Sequence, residues 1–268
     1  MKTKQVVCGL GEIGNPIYKI LNLANPTQAF DIDTKLLPKD NSKLDEYETQ
    51  FLHICIPFNS KFIKNTQELK KKFSPQGIII HSTISPGTTK KIQEKIKDIP
   101  VLYSATRGVH KRMSSDLKKY TKFFALDKNA PKAKWASSRY VTIMKKSGVK
   151  TKQMSKPITL ELAKIVVDTS YYGWLINYAQ ISNMIALKHN VNYDEMWSFA
   201  DEIQQFLKNR PKLFPGFIGG HCVIPNLDLI DEDSLWQIDK INNIYTKKVK
   251  NAKSIAKKYV KGKQSYDV

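Results

Sequence analysis

Gly219-Gly220-His221-Cys222, preceded by Pro215-Gly216-Phe217-Ile218 and followed by Pro225-Asn226, places a thiol directly behind two residues that lack side chains. Nothing on the glycines blocks the approach of a substrate carbon to the sulfur, and their backbone amides can come close to whatever the sulfur attacks. His221 suits stabilisation of a thiolate, the nucleophilic form of cysteine. Alone, the segment reads more readily as a glycine-rich turn around a buried cysteine. The other end of the chain shifts that balance.

There a short apolar run, Gln5-Val6-Val7-Cys8, feeds Gly9, Gly11 and Gly14 in G-x-G-x-x-G spacing, with Glu12 and Ile13 between them and a helix-compatible run up to Leu23. Gly9 permits the tight turn, Gly11 admits a pyrophosphate to the backbone, and Gly14 lets helix and strand pack closely. The start of the helix then offers amide donors to the anion. A second apolar run ends in Asp31-Ile32-Asp33 about 20 residues on, the spacing at which an acidic residue meets an adenosine ribose. Asp31 favours NAD over NADP, because a carboxylate repels a 2′-phosphate, although Lys35 nearby leaves room for NADP.

Elements that can position these residues follow from the pattern of the first half. Strand-like runs at residues 5–9, 29–32, 51–57, 77–82, 101–104 and 122–126 alternate with lysine-rich helical stretches such as 61–72 and 88–97. This is the order of βαβ units, and it predicts a Rossmann-type doubly wound parallel sheet over residues 1–150, closed by a basic linker at 145–156. Pro57 and the Ser82-Thr83-Ile84-Ser85-Pro86-Gly87-Thr88 segment fall at strand ends, where such a sheet holds its ligand loops. Residues 151–268 read as an all-helical domain. It contains a long spine helix over 157–189 that starts at Pro157, helices at 193–208 and 234–259, and the cysteine loop between them.

On the spine, Lys164 and Asp168 share one face, four residues apart. An exposed salt bridge worth ~0.3–0.5 kcal/mol is the plain reading. Among Leu160, Leu162, Ala163, Val166 and Val167, however, a lysine can be held with its donors fixed in place.

Taken together, these segments resemble the UDP-glucose/GDP-mannose dehydrogenase family, closest to the branch acting on UDP-N-acetylmannosamine. The likeness rests on residues 9–14 and 31–33, on 82–88 (like S-T-V-x-P-G-T), on 161–168 (like E-L-x-K-x-x-x-N) and on 215–226 (like P-G-P-G-x-G-G-H-C-x-x-x-D). It implies that NAD takes two hydrides in succession from a sugar C6 alcohol, with the aldehyde held on Cys222 and carried to a thioester. It also implies that Lys164 stabilises the developing oxyanion, and that Gly219, Gly220 and His221 line the substrate. Asp168 and Asn226 stand where the family has asparagine and aspartate, an exchanged pair. Thr106-Arg107 corresponds to a P-E-R-like segment, with Thr106 in place of the glutamate that activates the hydrolytic water. Arg210 corresponds to an arginine that reaches substrate across a dimer formed through the 157–189 helix. The family's third, nucleotide-gripping domain is expected to be missing.

Forty of the 44 basic residues are lysine and only Arg107, Arg112, Arg139 and Arg210 are arginine, within a net charge of +20. That composition describes a solvated surface able to steer anionic substrates rather than an arginine-based nucleic-acid reader, and the run at 247–263 reads as an exposed helix face and tail. Three cysteines, with Cys8 and Cys55 in strand-like runs, predict no disulfide framework and a cytoplasmic setting; no leader or bilayer-spanning run is expected. His53 and His81 read as core histidines, and no spacing suggests a metal site. Two alternatives remain: a two-electron β-hydroxyacid-type dehydrogenase that needs Lys164 but not Cys222, and a dinucleotide-binding homologue without turnover, serving as a sensor or scaffold.

Overall fold

The computed structural model describes residues 2–39, 41–220 and 222–252. The apolar runs of the first half form strands β1 (Thr3–Cys8), β2 (Thr27–Phe30), β3 (Glu48–Ile54), β4 (Gly77–Ile80), β5 (Val101–Tyr103), β6 (Lys122–Leu126) and β7 (Thr151–Gln153). They join in the order β2-β1-β3-β4-β5-β6-β7. Side chains alternate between two cores: Val7, Phe51, Ile79 and Leu102 enter one, and Val6, Leu52, Ile78 and Val101 the other. Both faces are therefore covered, which is why these strands read as continuous apolar runs rather than as alternating ones. The covering helices are α1 (Gly14–Asn22), α2 (Phe62–Phe73), α3 (Thr88–Lys95), α4 (Met113–Lys119), α5 (Ala133–Lys146) and α6 (Pro157–Leu162).

Two features differ from the expected all-parallel sheet. β6 runs antiparallel to β5, because the short connection through α4 returns without crossing the sheet. The segment expected as a basic linker at 145–156 instead contains β7, which pairs in parallel with β6. The chain accordingly divides into compact units at Lys164/Ile165, not at residue 150.

Across this boundary the helical run continues as a π-helical stretch, Ala163–Ser170, followed in the second unit by α7 (Tyr171–Lys188). The hydroxyls of Thr169 and Ser170 both donate to the carbonyl of Ile165, at 3.0 and 2.8 Å, within this widened turn. The helix expected over 193–208 is two, α8 (Tyr193–Ser198) and α9 (Asp201–Leu207), broken where Phe199 turns 90% exposed. A short α10 (Ile224–Leu227) follows the cysteine loop. α11 (Gln237–Lys248) ends where Val249 turns extended and packs with Tyr245 and Ala252, and residues 253–259 of the expected helix lie outside the described residues. The rest of the 247–263 lysine run lies outside the described residues. Among the described residues, no helix is long and apolar enough to cross a membrane.

Candidate active site

The strand order reverses between β1 and β3, and a sheet of this kind binds ligands in the crevice at the carboxyl ends of those strands. The glycine loop lies there. A Cβ on Gly14 would stand 1.6 Å from the Gly9 carbonyl oxygen, and one on Gly9 (φ +88°) would meet the Cys55 carbonyl at 2.9 Å. Gly11, in contrast, faces open space. Two glycines thus let the chain pack, and the third leaves room for a ligand at the backbone, the division of labour a dinucleotide requires. α1 has Ile13 as its N-cap and so lacks a side-chain cap, which leaves its first turn suited to an anion; Glu12 is exposed beside it.

Asp31 is tied into the same crevice. Its carboxylate accepts from Leu10 N at 2.5 Å and from Asp33 N at 2.9 Å. With about four acceptor sites, a carboxylate so held keeps capacity for the two hydroxyls of a ribose. Beside Gly11 and α1 opens a cleft of about 590 Å³, lined also by Lys19, Lys111 and Arg112. Sequence reading passed over Lys111 and Arg112, which add positive charge next to the loop.

Along the same edge, Pro57 is exposed after β3 and Thr83 is half-buried after β4, while Ser82 donates to Ile56 O at 2.6 Å. The 82–88 loop is clamped by Glu161, which is fully buried. Its carboxylate accepts from Gly87 N (2.6 Å), Thr89 N (2.9 Å) and Thr89 Oγ1 (2.6 Å). Glu161 thereby caps α3, whose own N-cap is Gly87 (φ +86°) with no side chain to offer. Lys164, half-buried, follows one turn later and ends the first unit. After β5, Thr106 is buried, and Arg107 turns back to donate to Thr121 O at 2.8 Å, with its guanidinium 5.2 Å from the Phe123 ring. Arg107 therefore anchors its own loop.

Beneath this edge the core is polar across several strands. His53 and His81 are fully buried, with His53 Nδ1 and His81 Nε2 2.9 Å apart, His53 Nε2 3.3 Å from the Gln5 carboxamide, and His81 Nδ1 3.1 Å from Ser104 O. Burial, assisted by the nearby Lys122, lowers both imidazole pKa values, that of His53 to about 3. They are satisfied core histidines. Cys8 and Cys55 are free and buried, and burial pushes the Cys55 thiol up to about 12.

The cysteine loop belongs to the second unit and hangs from a network of buried amides. Gln180 Nε2 donates to Gly216 O at 2.7 Å and to Asn242 Oδ1 at 3.0 Å. Asn242 Oδ1 accepts from Ile218 N at 2.8 Å, and its Nδ2 donates to Ile218 O at 3.1 Å. Tyr245 OH donates to Pro215 O at 2.5 Å and accepts from Asn183 Nδ2 at 3.1 Å, while Asn177 joins Gln180 to Ile238 O. With their loop backbone fixed, Gly219 and Gly220 (φ +81°) lead to an exposed Cys222 that is in no disulfide. Asn226 is buried in α10, Asp168 half-buried in the π-helical stretch, and Arg210 exposed, donating to Asn209 Oδ1. His221 lies outside the described residues.

The amides of this network were missed by sequence reading. Their signal is Asn177, Gln180 and Asn183 at intervals of three along an otherwise apolar helix. Gly173 shows how tightly that helix holds the loop: a Cβ there would stand 2.7 Å from Val223 Cγ1 and 3.0 Å from Ile238 Cγ2. Gly173→Ala is therefore expected to destabilise by about 1–3 kcal/mol, outweighing the roughly 1 kcal/mol that alanine contributes in a helix. A urea midpoint that rises instead would show that the packing yields.

No family model matches the sequence, and no curated protein matches it. Solved structures do. The chain is similar to the UDP-D-ManNAc dehydrogenase of Pyrococcus horikoshii, with 17% identity over 90% of this chain and 68% of that one, at a TM-score of 0.71. For the UDP-N-acetyl-mannosamine dehydrogenase of Staphylococcus aureus the values are 18%, 96%, 69% and 0.67. The 3-hydroxyisobutyrate dehydrogenase of Mycobacterium tuberculosis is 12% identical over 98% of this chain and all of that one, at 0.65. The chain thus has the Rossmann-type dehydrogenase fold and spans about two thirds of the length of the nucleotide-sugar dehydrogenases whose fold it shares.

Proposed function

We propose that this protein is an NAD-dependent dehydrogenase that oxidises the primary alcohol of a nucleotide-linked sugar, with Cys222 as nucleophile. The observation that carries this reading is the exposed thiol on a loop whose backbone is fixed by Gln180, Asn242 and Tyr245, in a chain whose other unit presents a dinucleotide loop. A nucleophile needs such fixed presentation. NAD, when bound, supplies the hydride acceptor. Gly9, Gly11, Gly14, the start of α1, Asp31, Pro57, Ser82 and Thr83 would hold it, and the carboxylate of Asp31 disfavours a 2′-phosphate.

In this scheme the hydroxyl proton of the alcohol passes to solvent, with Lys164 assisting, as hydride leaves the substrate carbon for the bound cofactor to give an aldehyde. The Cys222 thiolate adds to that carbon, and Lys164 stabilises the oxyanion. Loss of a second hydride gives a thioester, which water cleaves to the carboxylate and free thiol. Asp168 and Asn226 supply one carboxylate and one amide to this chemistry, in exchanged positions. Thr106, Gly219, Gly220, His221 and Arg210 contact substrate, and the basic surface draws in its diphosphate. Three cysteines outside any disulfide fit a reducing, cytoplasmic compartment. NADH absorbance across a panel of nucleotide sugars, free sugars and hydroxy acids tests the reading; binding of NAD with no turnover of any of them would contradict it. A two-electron hydroxyacid dehydrogenase is the second reading, favoured by the match to the whole 3-hydroxyisobutyrate dehydrogenase chain. It requires no Cys222.

The same unit supports a homodimer. α7 buries Asn177, Gln180 and Asn183 beside Ile176, Ala179 and Ala186, while the large Tyr171, Trp174, Tyr178 and Ile185 are exposed. Tyr171, Trp174, Tyr178 and, past the half-buried Ile181, Ile185 fall at steps of three, four, three and four, the a/d spacing of a helix that pairs along a seam. A second copy of α7 is the proposed cover. Light scattering is expected to give a dimer that Tyr178→Glu converts to a monomer; a wild-type monomer at micromolar concentration would refute the pairing.

A further inference from the structure

Lys122, the first residue of β6, is only 4% exposed, yet none of its hydrogen bonds goes to a carboxylate. Its Nζ donates to Ser104 O (3.0 Å), Ala105 O (3.2 Å) and Thr106 Oγ1 (3.2 Å). The three donors of an ammonium are matched by three acceptors on one segment, the one that leaves β5 at the ligand edge of the sheet. Elements packed around it bring few charges. Arg107 stands on the same loop, Cys55 after β3, and Lys164 beyond α6. On α6 itself Glu161 is committed to Gly87 and Thr89, on α5 Tyr140 bonds Ser104 Oγ, β3 and β4 contribute the neutral His53 and His81, and β7 carries Lys152. Burial is the main cause that lowers the Lys122 pKa, to about 7, with Arg107 and Lys164 lowering it further and Cys55 opposing them.

We propose that Lys122 is a positioning residue that, as an ammonium, locks the Thr106 hydroxyl as a hydrogen-bond donor to a substrate oxygen; this rests on the dehydrogenase reading. A threonine hydroxyl that accepts from an ammonium has its one proton left to give elsewhere. When Lys122 loses its proton, the amine gains a lone pair within 3.2 Å, and the Thr106 proton turns inward to it. A hydroxyl fixed outward as a donor binds an anionic or carbonyl oxygen but takes no proton from water. Thr106 therefore acts here as a holder of the substrate's oxygen, not as a base. The locked state exists below the Lys122 pKa and is lost as pH rises through it.

Two readouts test this. The Thr106 methyl resonance is expected to titrate near pH 7 in the wild-type protein and to be flat in Lys122→Met; a flat wild-type resonance, or a titration that survives in the variant, overturns the proposal. With a substrate that turns over, kcat/KM should fall about tenfold as pH rises through this range, the value of one hydrogen bond to a charged group. Lys122→Met and Thr106→Val should both lack that limb, and Thr106→Ser should keep it. If Lys122→Met does not fold, the Thr106→Val and Thr106→Ser pair decides: a limb that persists in Thr106→Val refutes the assignment. Absence of turnover on every substrate, with the Thr106 titration intact and dependent on Lys122, defeats the dehydrogenase reading while leaving the lock itself supported.

Discussion

Replacing Cys222 by alanine is expected to lower four-electron turnover by on the order of 10³-fold or more, because the second oxidation has no covalent intermediate to act on without the thiol. Exposure and loop geometry make this a clean experiment. Cys222 is exposed, so its removal opens no cavity, and the variant keeps Tyr245, Gln180 and Asn242, which hold the loop at Pro215, Gly216 and Ile218. Stability and NAD affinity should therefore stay at wild-type values. Whatever NADH the variant still forms should stop at one per substrate, with aldehyde as product. If Cys222→Ala retains wild-type rate and product, the two-electron reading replaces the first.

The second large effect concerns stability. Glu161→Leu strands Thr89 N and the Thr89 hydroxyl, which are buried, and Gly87 N, which is partly so, and each buried unsatisfied donor costs about 1–3 kcal/mol. Some of that is relieved by movement of the loop, so a net loss of about 3–5 kcal/mol is expected, in the range seen when one partner of a buried charged pair is removed. Such a loss is a large part of the total stability of a domain. Glu161→Gln keeps the shape but turns one acceptor into a donor that faces donors, so it should fall between. The urea midpoint at unchanged slope measures both. Because the loop that Glu161 clamps carries Ser82 and Thr83, the glutamine variant should also bind NAD more weakly. A midpoint in Glu161→Leu within the error of wild type would show that the clamp contributes nothing.

The glycine turn and the strands around it were legible because their signals are local. Strand, G-x-G-x-x-G turn and acidic strand end fall within the first 33 residues, and each glycine answers a steric demand visible at short range. β7 was not legible: Thr151-Lys152-Gln153 is a short polar run at the sheet's edge, where solvent covers one side and no apolar pattern is needed. Buried polar groups were hidden for the opposite reason. Lys122 reads as the exposed start of a strand, and only the contacts of β5 and β6 show that its ammonium is enclosed by Ser104, Ala105 and Thr106. The spine helix was placed correctly, but its facing was not apparent. Asn177, Gln180 and Asn183 look like a solvent face by type, and long-range partners on α11 and the cysteine loop turn them inward. The π-helical stretch carries no sequence signal in its apolar pattern.

The central claim is that carbon is held on sulfur at Cys222, and its most direct test is the mass of the protein quenched during turnover with NAD and a nucleotide sugar. Thr106 offers a donor where a base would speed hydrolysis, so the thioester should accumulate. The expected result is a mass increase equal to the acyl group on the peptide containing Cys222, formed only when both NAD and substrate are present and released by hydroxylamine. Rapid NADH formation with the Cys222 peptide unmodified at every quench time would contradict the account.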